Sequence, residues 1–208
     1  MPNRVSGPYS WIVVVCLWIV LVGRSSTSEA LFINPERIIE FENTQLGHFF
    51  LAGKDEAAFI DQGGAGPGWI RTGETFWEES PLSFIFTGVC RFYGSVSPGP
   101  NSHFFTANRA ECNWLRDLGA SLPAEAPKWN LEGTGFGVVA LTIDGSCPIT
   151  ERETPTAPVF RLYNRGFERG IDSNHRYTTS RQTVETMKAL GWVEEGIAWC
   201  TRPNGPWS

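Results

Sequence analysis

Val159-Phe160-Arg161-Leu162-Tyr163-Asn164, then Asn174-His175-Arg176-Tyr177-Thr178-Thr179, then Trp192-Val193-Glu194-Glu195-Gly196-Ile197-Ala198-Trp199 form a pattern that occurs three times in this chain. The middle copy reads Arg91-Phe92-Tyr93-Gly94, Ser102-His103-Phe104-Phe105-Thr106, and Trp129, Gly133 and Phe136. The first reads Glu40-Phe41-Glu42-Asn43, Gly47-His48-Phe49-Phe50, and Trp69, Gly73 and Phe76. All three histidines of the chain fall at one position of this pattern, and the Trp-x-x-x-Gly-x-x-aromatic ending recurs without a gap. Internal repetition of this kind is the sequence signature of stacked supersecondary units.

Each unit reads as strand, turn, strand, helix, strand. The first strand is short and apolar, and it ends at Asn43, Gly94 or Asn164, residues that tolerate turn dihedrals. The His-aromatic-aromatic stretch has strand composition. Asn108 and Ser180 are natural helix N-caps, and Asn108-Arg109-Ala110-Glu111 resembles a capping box. Val184, Met187 and Leu190 mark one helical face, and Leu115 and Leu118 mark another. Gly191 suits a helix C-cap. The expected fold is therefore β-dominant α+β: three tandem ββαβ-like units about a pseudo-threefold axis in one compact domain. The units span about 38–80, 81–142 and 157–203, with a linker over 143–156. Three inserted loops (95–101, 121–128 and 165–173) lengthen the second and third units, and such insertions often mark a binding face.

The first thirty residues have another character. Arg4 precedes the apolar run Trp11 to Gly23, and Ser28-Glu29-Ala30 offers small residues where signal peptidase needs them. The run is shorter than the ~20 residues a membrane helix requires. It reads as a secretory signal over 1–30, leaving 31–208; the competing reading is an uncleaved anchor. Membrane contact is then expected only through this segment before cleavage. Export to the periplasm or the extracellular space follows.

Removal of Cys16 with the signal leaves Cys90, Cys112, Cys147 and Cys200, an even number suited to two disulfides in an exported chain. Cys90 aligns with Ile39 and Phe160 on the first strand, and Cys112 with Ala57 and Val184 on the helix. An apolar strand–helix contact in the outer units would bring the two thiols together in the middle one. The preferred pairing is Cys90–Cys112 and Cys147–Cys200, one of three connectivities, with each bridge contributing ~3–4 kcal/mol.

The unit pattern resembles a secreted repeat family of unknown function, roughly Tyr-Arg-Phe-Tyr-Asn, Asp/Asn-His-Phe-Tyr-Thr-Thr, helix, Trp-x-x-Glu-Gly-x-Ala. The third unit fits best, and the first departs most, with Glu42, Gly47 and Leu51 at its variant positions. The resemblance implies appended or free-standing domains of exported bacterial proteins. It implies architecture and location, and no chemistry.

Composition narrows the function classes. A net charge of −5 without a Lys/Arg run disfavours a nucleic-acid partner. Nine Trp supply either aromatic core or stacking platforms for sugars, with core the expectation for most. Neither Gly-x-Ser-x-Gly nor His-Glu-x-x-His occurs, and no cofactor is implied. The expected function is a non-catalytic binding module for glycan or another envelope polymer, with His48, His103, His175, Tyr93, Tyr163, Tyr177, Asn101 and Asn174 as candidate contacts. Two alternatives stand beside it. One is a secreted hydrolase or metal-binding protein in which His48, His103 and His175 converge on an ion with an open position. The other is a structural or protein-interaction domain.

Overall fold

The computed structural model describes residues 36–150 and 153–203, so the signal reading lies outside the described residues. Among the described residues, nine strands and four helices follow one another as β1 (Arg37–Asn43), β2 (His48–Ala52), α1 (Lys54–Asp61), β3 (Trp69–Trp77), β4 (Phe86–Tyr93), β5 (His103–Thr106), α2 (Arg109–Ser121), β6 (Asn130–Val139), β7 (Ala157–Tyr163), α3 (Gly166–Arg169), β8 (His175–Thr178), α4 (Arg181–Ala189) and β9 (Val193–Thr201). The architecture is β-dominant α+β. The strands form a three-stranded sheet, β2-β1-β3, and a six-stranded sheet, β5-β4-β6-β9-β7-β8. The larger sheet joins two antiparallel triplets across β6 and β9, where Val139 pairs with Cys200. In each of three successive segments (β1 to β3 with α1, β4 to β6 with α2, and β7 to β9 with α3 and α4), the first strand is thus flanked by the second and the last.

The repeated glycine has a local reason. Gly73, Gly133 and Gly196 have φ of 91°, 130° and 104°. Gly133 lies opposite Arg91 and Gly196 opposite Arg161, and each pairing is followed by a register shift. In the first segment the shift falls between Ile39 and Phe41. A β-bulge needs a residue that accepts this backbone, and glycine accepts it without a Cβ clash.

Equivalent positions of the three segments share one core. Ile38, Val89 and Val159 are buried together with Phe50, Phe105 and Tyr177, and with Phe76, Phe136 and Trp199. Phe105 meets Tyr177 edge-on at 5.9 Å and lies tilted against Phe136 at 5.6 Å, and Tyr177 stacks on Trp199 at 4.9 Å. The Tyr177 hydroxyl donates to Phe105 O at 2.6 Å and accepts from Phe105 N at 2.9 Å, which satisfies it inside the core. Two smaller clusters lie beneath α2 and α4: Cys90, Phe92, Phe104, Cys112 and Leu115, and Phe160, Leu162, Val184 and Met187 with Phe49. The disulfides join Cys90 to Cys112 and Cys147 to Cys200.

Neighbouring segments are also tied by charge. Arg91 of β4 reaches Glu56 of α1 at 2.9 Å, and Arg161 of β7 reaches Glu111 of α2 at 2.8 Å. Between the first and third segments the signs reverse. Glu40, fully buried on β1, meets Arg176 of β8 at 3.0 Å and accepts from Thr72 at 2.7 Å.

Several local expectations need correction. Asn108 does cap α2, accepting from Ala110 N and Glu111 N. The Glu111 carboxylate does not turn back to complete the capping box, because Arg161 claims it; Asn108 N donates to Thr106 Oγ1 instead. Leu118 and Leu190 are exposed, since each helix end runs past the core that buries Leu115 and Met187. The 165–173 turn contains the short helix α3, entered through Arg165 at φ 56°.

Candidate binding cleft between the second and third segments

The three inserted loops meet at one place. Ser173 N donates to Gly99 O at 2.7 Å, Ser102 Oγ donates to Ser173 O at 2.6 Å, and Asn101 Nδ2 donates to Asp172 Oδ2 at 2.8 Å. The 95–101 loop, which contains the cis Ser97–Pro98 bond, is thereby zipped to the 165–173 loop. With Leu122, Pro127 and Lys128 of the 121–128 insertion they wall a cleft of about 460 Å³. Its lining is largely aromatic, with Phe104, Trp114 of α2, Trp129, Tyr163 and Phe167. Trp114 is 62% exposed and Phe167 81%.

Phe167 is held at the rim by its backbone. The Tyr163 hydroxyl accepts from Phe167 N at 2.9 Å, and Asn164 Oδ1 accepts from Gly166 N and Asn174 N. Tyr163 in turn stacks on His175 at 4.9 Å, and Phe104 meets the same imidazole edge-on at 4.7 Å. Burial and the Arg161 charge push His175 down to about 3, so the ring is neutral at ordinary pH.

In the lining of the cleft Arg161 binds two carboxylates. Its guanidinium donates to Glu111 Oε2 and Oε1 at 2.8 and 3.1 Å, and Nε donates to Glu195 Oε2 at 2.8 Å. Burial pushes the Glu111 carboxyl up, but the Arg161 bonds and charge reverse this and leave it below the usual value. For Glu195 burial outweighs Arg161, with repulsion from Glu111 and Glu168 adding to it, so the carboxyl is raised. The two acids have separated affinities for protons, yet the same arginine holds both.

Beside this cleft lies a second, of about 440 Å³. It is lined by Thr87, Thr106, Asn108, Arg109, Leu141 and Ile197 among others, and it shares Glu111, Arg161 and Glu195 with the first.

The sequence-selected residues scatter across these features. Tyr163 and His175 line the first cleft. Asn101 zips the loops, as above. Asn174 is buried, donating to Gly47 O at 2.6 Å and accepting from Phe49 N at 3.2 Å, so it pins the first segment to the third. Tyr177 is enclosed in the core. Tyr93 and His103 make a related pair at 4.8 Å, with His103 Nε2 3.3 Å from Glu132. His48 Nε2 lies 3.7 Å from Asp172. Among the described residues no group of three His, Cys, Asp or Glu side chains is placed to hold a metal ion. Residue-by-residue reading passed over Arg161, Glu111, Trp114 and Phe167. The signals available for them were the insertions and a Trp on the polar side of α2.

Residues 91–205 match a domain of unknown function, DUF5648, over more than half of the chain. The chain belongs to this family. The DUF5648 match begins at Arg91, within β4, so it covers most of the second segment and all of the third and leaves the first outside it. No curated protein and no solved structure matches the chain. Its two disulfides are compatible with an exported DUF5648 protein. Among the described residues no helix is long and apolar enough to cross a membrane.

Proposed function

We propose that the chain is an exported, non-catalytic binding module for extracellular or envelope glycan, with its ligand in the aromatic cleft between the second and third segments. One observation carries this reading. Trp114, Trp129, Tyr163 and Phe167 line a 460 Å³ cleft around the Glu111–Arg161–Glu195 cluster. Pyranose rings have apolar C–H faces that stack on indole and phenol, and hydroxyls that pair with carboxylate and guanidinium. Both carboxylates already serve Arg161, an arrangement suited to bonding hydroxyls more than to passing protons.

The architecture behind this reading is three copies of one ββαβ-like unit about a pseudo-threefold axis. Its support is the repeated strand order, the equivalent core positions Ile38/Val89/Val159 and Phe76/Phe136/Trp199, and the bulge at each repeated glycine. The copies are unequal: the loops that differ among them gather at one junction, and the binding cleft belongs there. Residues 1–30 serve as the export signal in this reading, and residues 31–208 form the single domain.

The test is a glycan array probed with the full, disulfide-bonded chain. Saturable binding, lost in Trp114→Ala and Phe167→Ala with thermal unfolding unchanged, is the expected result. Folded protein that binds no glycan on the array, or binding indifferent to both substitutions, overturns the assignment.

A further inference from the structure

We infer that the two clefts form one groove, and that it takes several consecutive sugars of a linear, neutral polysaccharide rather than a single sugar. This rests on the glycan reading above and deepens it. The aromatic cleft and its neighbour meet at the same three side chains, Glu111, Arg161 and Glu195. On one side of this cluster the lining is aromatic and aliphatic, with Trp114, Trp129, Tyr163 and Phe167. On the other, hydroxyl, amide and guanidinium groups of Thr87, Thr106, Asn108 and Arg109 stand among small and aliphatic side chains such as Leu141 and Ile197.

A single ring fills one of these environments. A chain of several rings uses both, stacking at one end, hydrogen-bonding at the other and passing over the charged cluster between them. The charge of the lining selects the chemistry. Glu111 and Glu195 both bond to Arg161, Arg109 and Lys128 add two further cations to the lining, and the Lys128 ammonium already donates to the Gly119 and Leu122 carbonyls. The groove therefore carries no concentrated charge of one sign. A polyanion would need a cationic track and finds two carboxylates midway; a neutral polyhydroxylated chain meets donors and acceptors along its length.

The experiment is calorimetric titration of the full, oxidised chain with cello-, xylo-, manno- and chito-oligosaccharides from disaccharide to hexasaccharide. Two variants alter the second cleft: Arg109→Ala, at the start of α2, and Leu141→Arg. Phe167→Ala alters the first. Affinity for one series should rise about tenfold or more from disaccharide to hexasaccharide as the second cleft is engaged. Arg109→Ala and Leu141→Arg should weaken the hexasaccharide about fivefold or more and leave the disaccharide within about twofold, whereas Phe167→Ala should weaken every length. Affinity that saturates at the disaccharide, or second-cleft variants without effect at any length, overturns the groove and leaves the glycan reading standing. Binding confined to anionic oligosaccharides added as a control overturns neutral-chain selection. Absence of binding by every neutral series, with an array that is also negative, sinks the glycan reading and the groove together.

Discussion

Glu111 Oε2 on α2 lies 2.8 Å from Arg161 Nη1 on β7, a bond between residues 50 positions apart that locks the helix of one segment to the first strand of the next. Arg91 and Glu56 repeat the contact one segment earlier. Within its own segment each arginine also holds the glutamate three residues after the repeated Trp, Glu195 or Glu132. The Arg161 side chain is only 15% exposed against 26% for Arg91, so its removal leaves more deeply buried carboxylates without a partner. Arg161→Ala should cost about 3–5 kcal/mol in urea unfolding, and Arg91→Ala distinctly less. Equal, small losses would show that apolar packing alone joins the segments.

The disulfides should matter in proportion to the loops they close. Cys90–Cys112 spans 22 residues and Cys147–Cys200 spans 53. Paired Cys→Ala replacement should cost ~3 kcal/mol for the first and ~4 kcal/mol for the second, if unfolded-chain entropy dominates. The first bridge sits in the apolar cluster under α2, whereas the second anchors the chain before β7 to β9. Thermal unfolding of the two double variants checks the order, and a larger loss at Cys90–Cys112 would give packing beneath α2 the greater weight.

Acid should destabilise the fold, and the sign can be worked out group by group. Burial and the Arg161 charge push His175 down to about 3; burial, Arg91 and the nearby His48 push His103 down to about 4. Unfolded imidazoles take their proton near 6.5, so below that pH the unfolded chain binds more protons and stability falls, by up to about 1.4 kcal/mol per group per pH unit. Glu40 works the other way. Burial raises it to about 6 against the pull of Arg176, so the folded state takes this proton first and gains stability as pH falls from about 6 to about 4.5. Burial also raises Glu78 and Glu195, in the sense of Glu40, and lowers His48, in the sense of the other histidines; the large shifts of His175 and His103 over a wider window outweigh the raised carboxyls. Urea unfolding from pH 7 to pH 4.5 should show a steady loss, flattened in His175→Gln and steepened in Glu40→Gln. A level profile in the parent chain would contradict the assignment of buried neutral histidines.

How much of this was legible depends on the range of the interaction. The strand–helix contact that brings Cys90 to Cys112 is local to one segment, and alignment of Cys90 with Phe160 and of Cys112 with Val184 displays it. The caps at Asn108 and Ser180 depend on the next three residues and were equally readable. Contacts between segments were not. Nothing near Glu111 in the chain announces Arg161, so a local rule sends its carboxylate to the helix cap, where a buried arginine outcompetes the backbone. Asn174 and Tyr177 have the chemistry of ligand contacts, yet both are spent on inter-segment hydrogen bonds. The cleft follows the same logic. Its walls are loops whose insertions were visible, but their meeting through Ser173 and Gly99 is a property of the assembled fold.

The repeated glycines allow a final prediction that separates backbone from packing. A Cβ added at Gly133 or Gly196 meets nothing within 4 Å, so any cost of alanine there comes from φ of 130° or 104° alone. That cost should be about 1–3 kcal/mol. Gly135 on the same strand is the control. Its Cβ would lie 3.5 Å from the Arg91 Cβ, an ordinary contact without a positive φ, and Gly135→Ala should stay within about 0.5 kcal/mol of the parent. The bulge also aims a side chain. Glu195 precedes Gly196, and Gly196 lies opposite Arg161, so relaxing the bulge turns the Glu195 carboxylate away from the guanidinium. Gly196→Ala and Glu195→Gln should therefore combine to less than the sum of their separate losses in a double-mutant cycle. Strict additivity would mean that the glycine shapes the strand without positioning the acid.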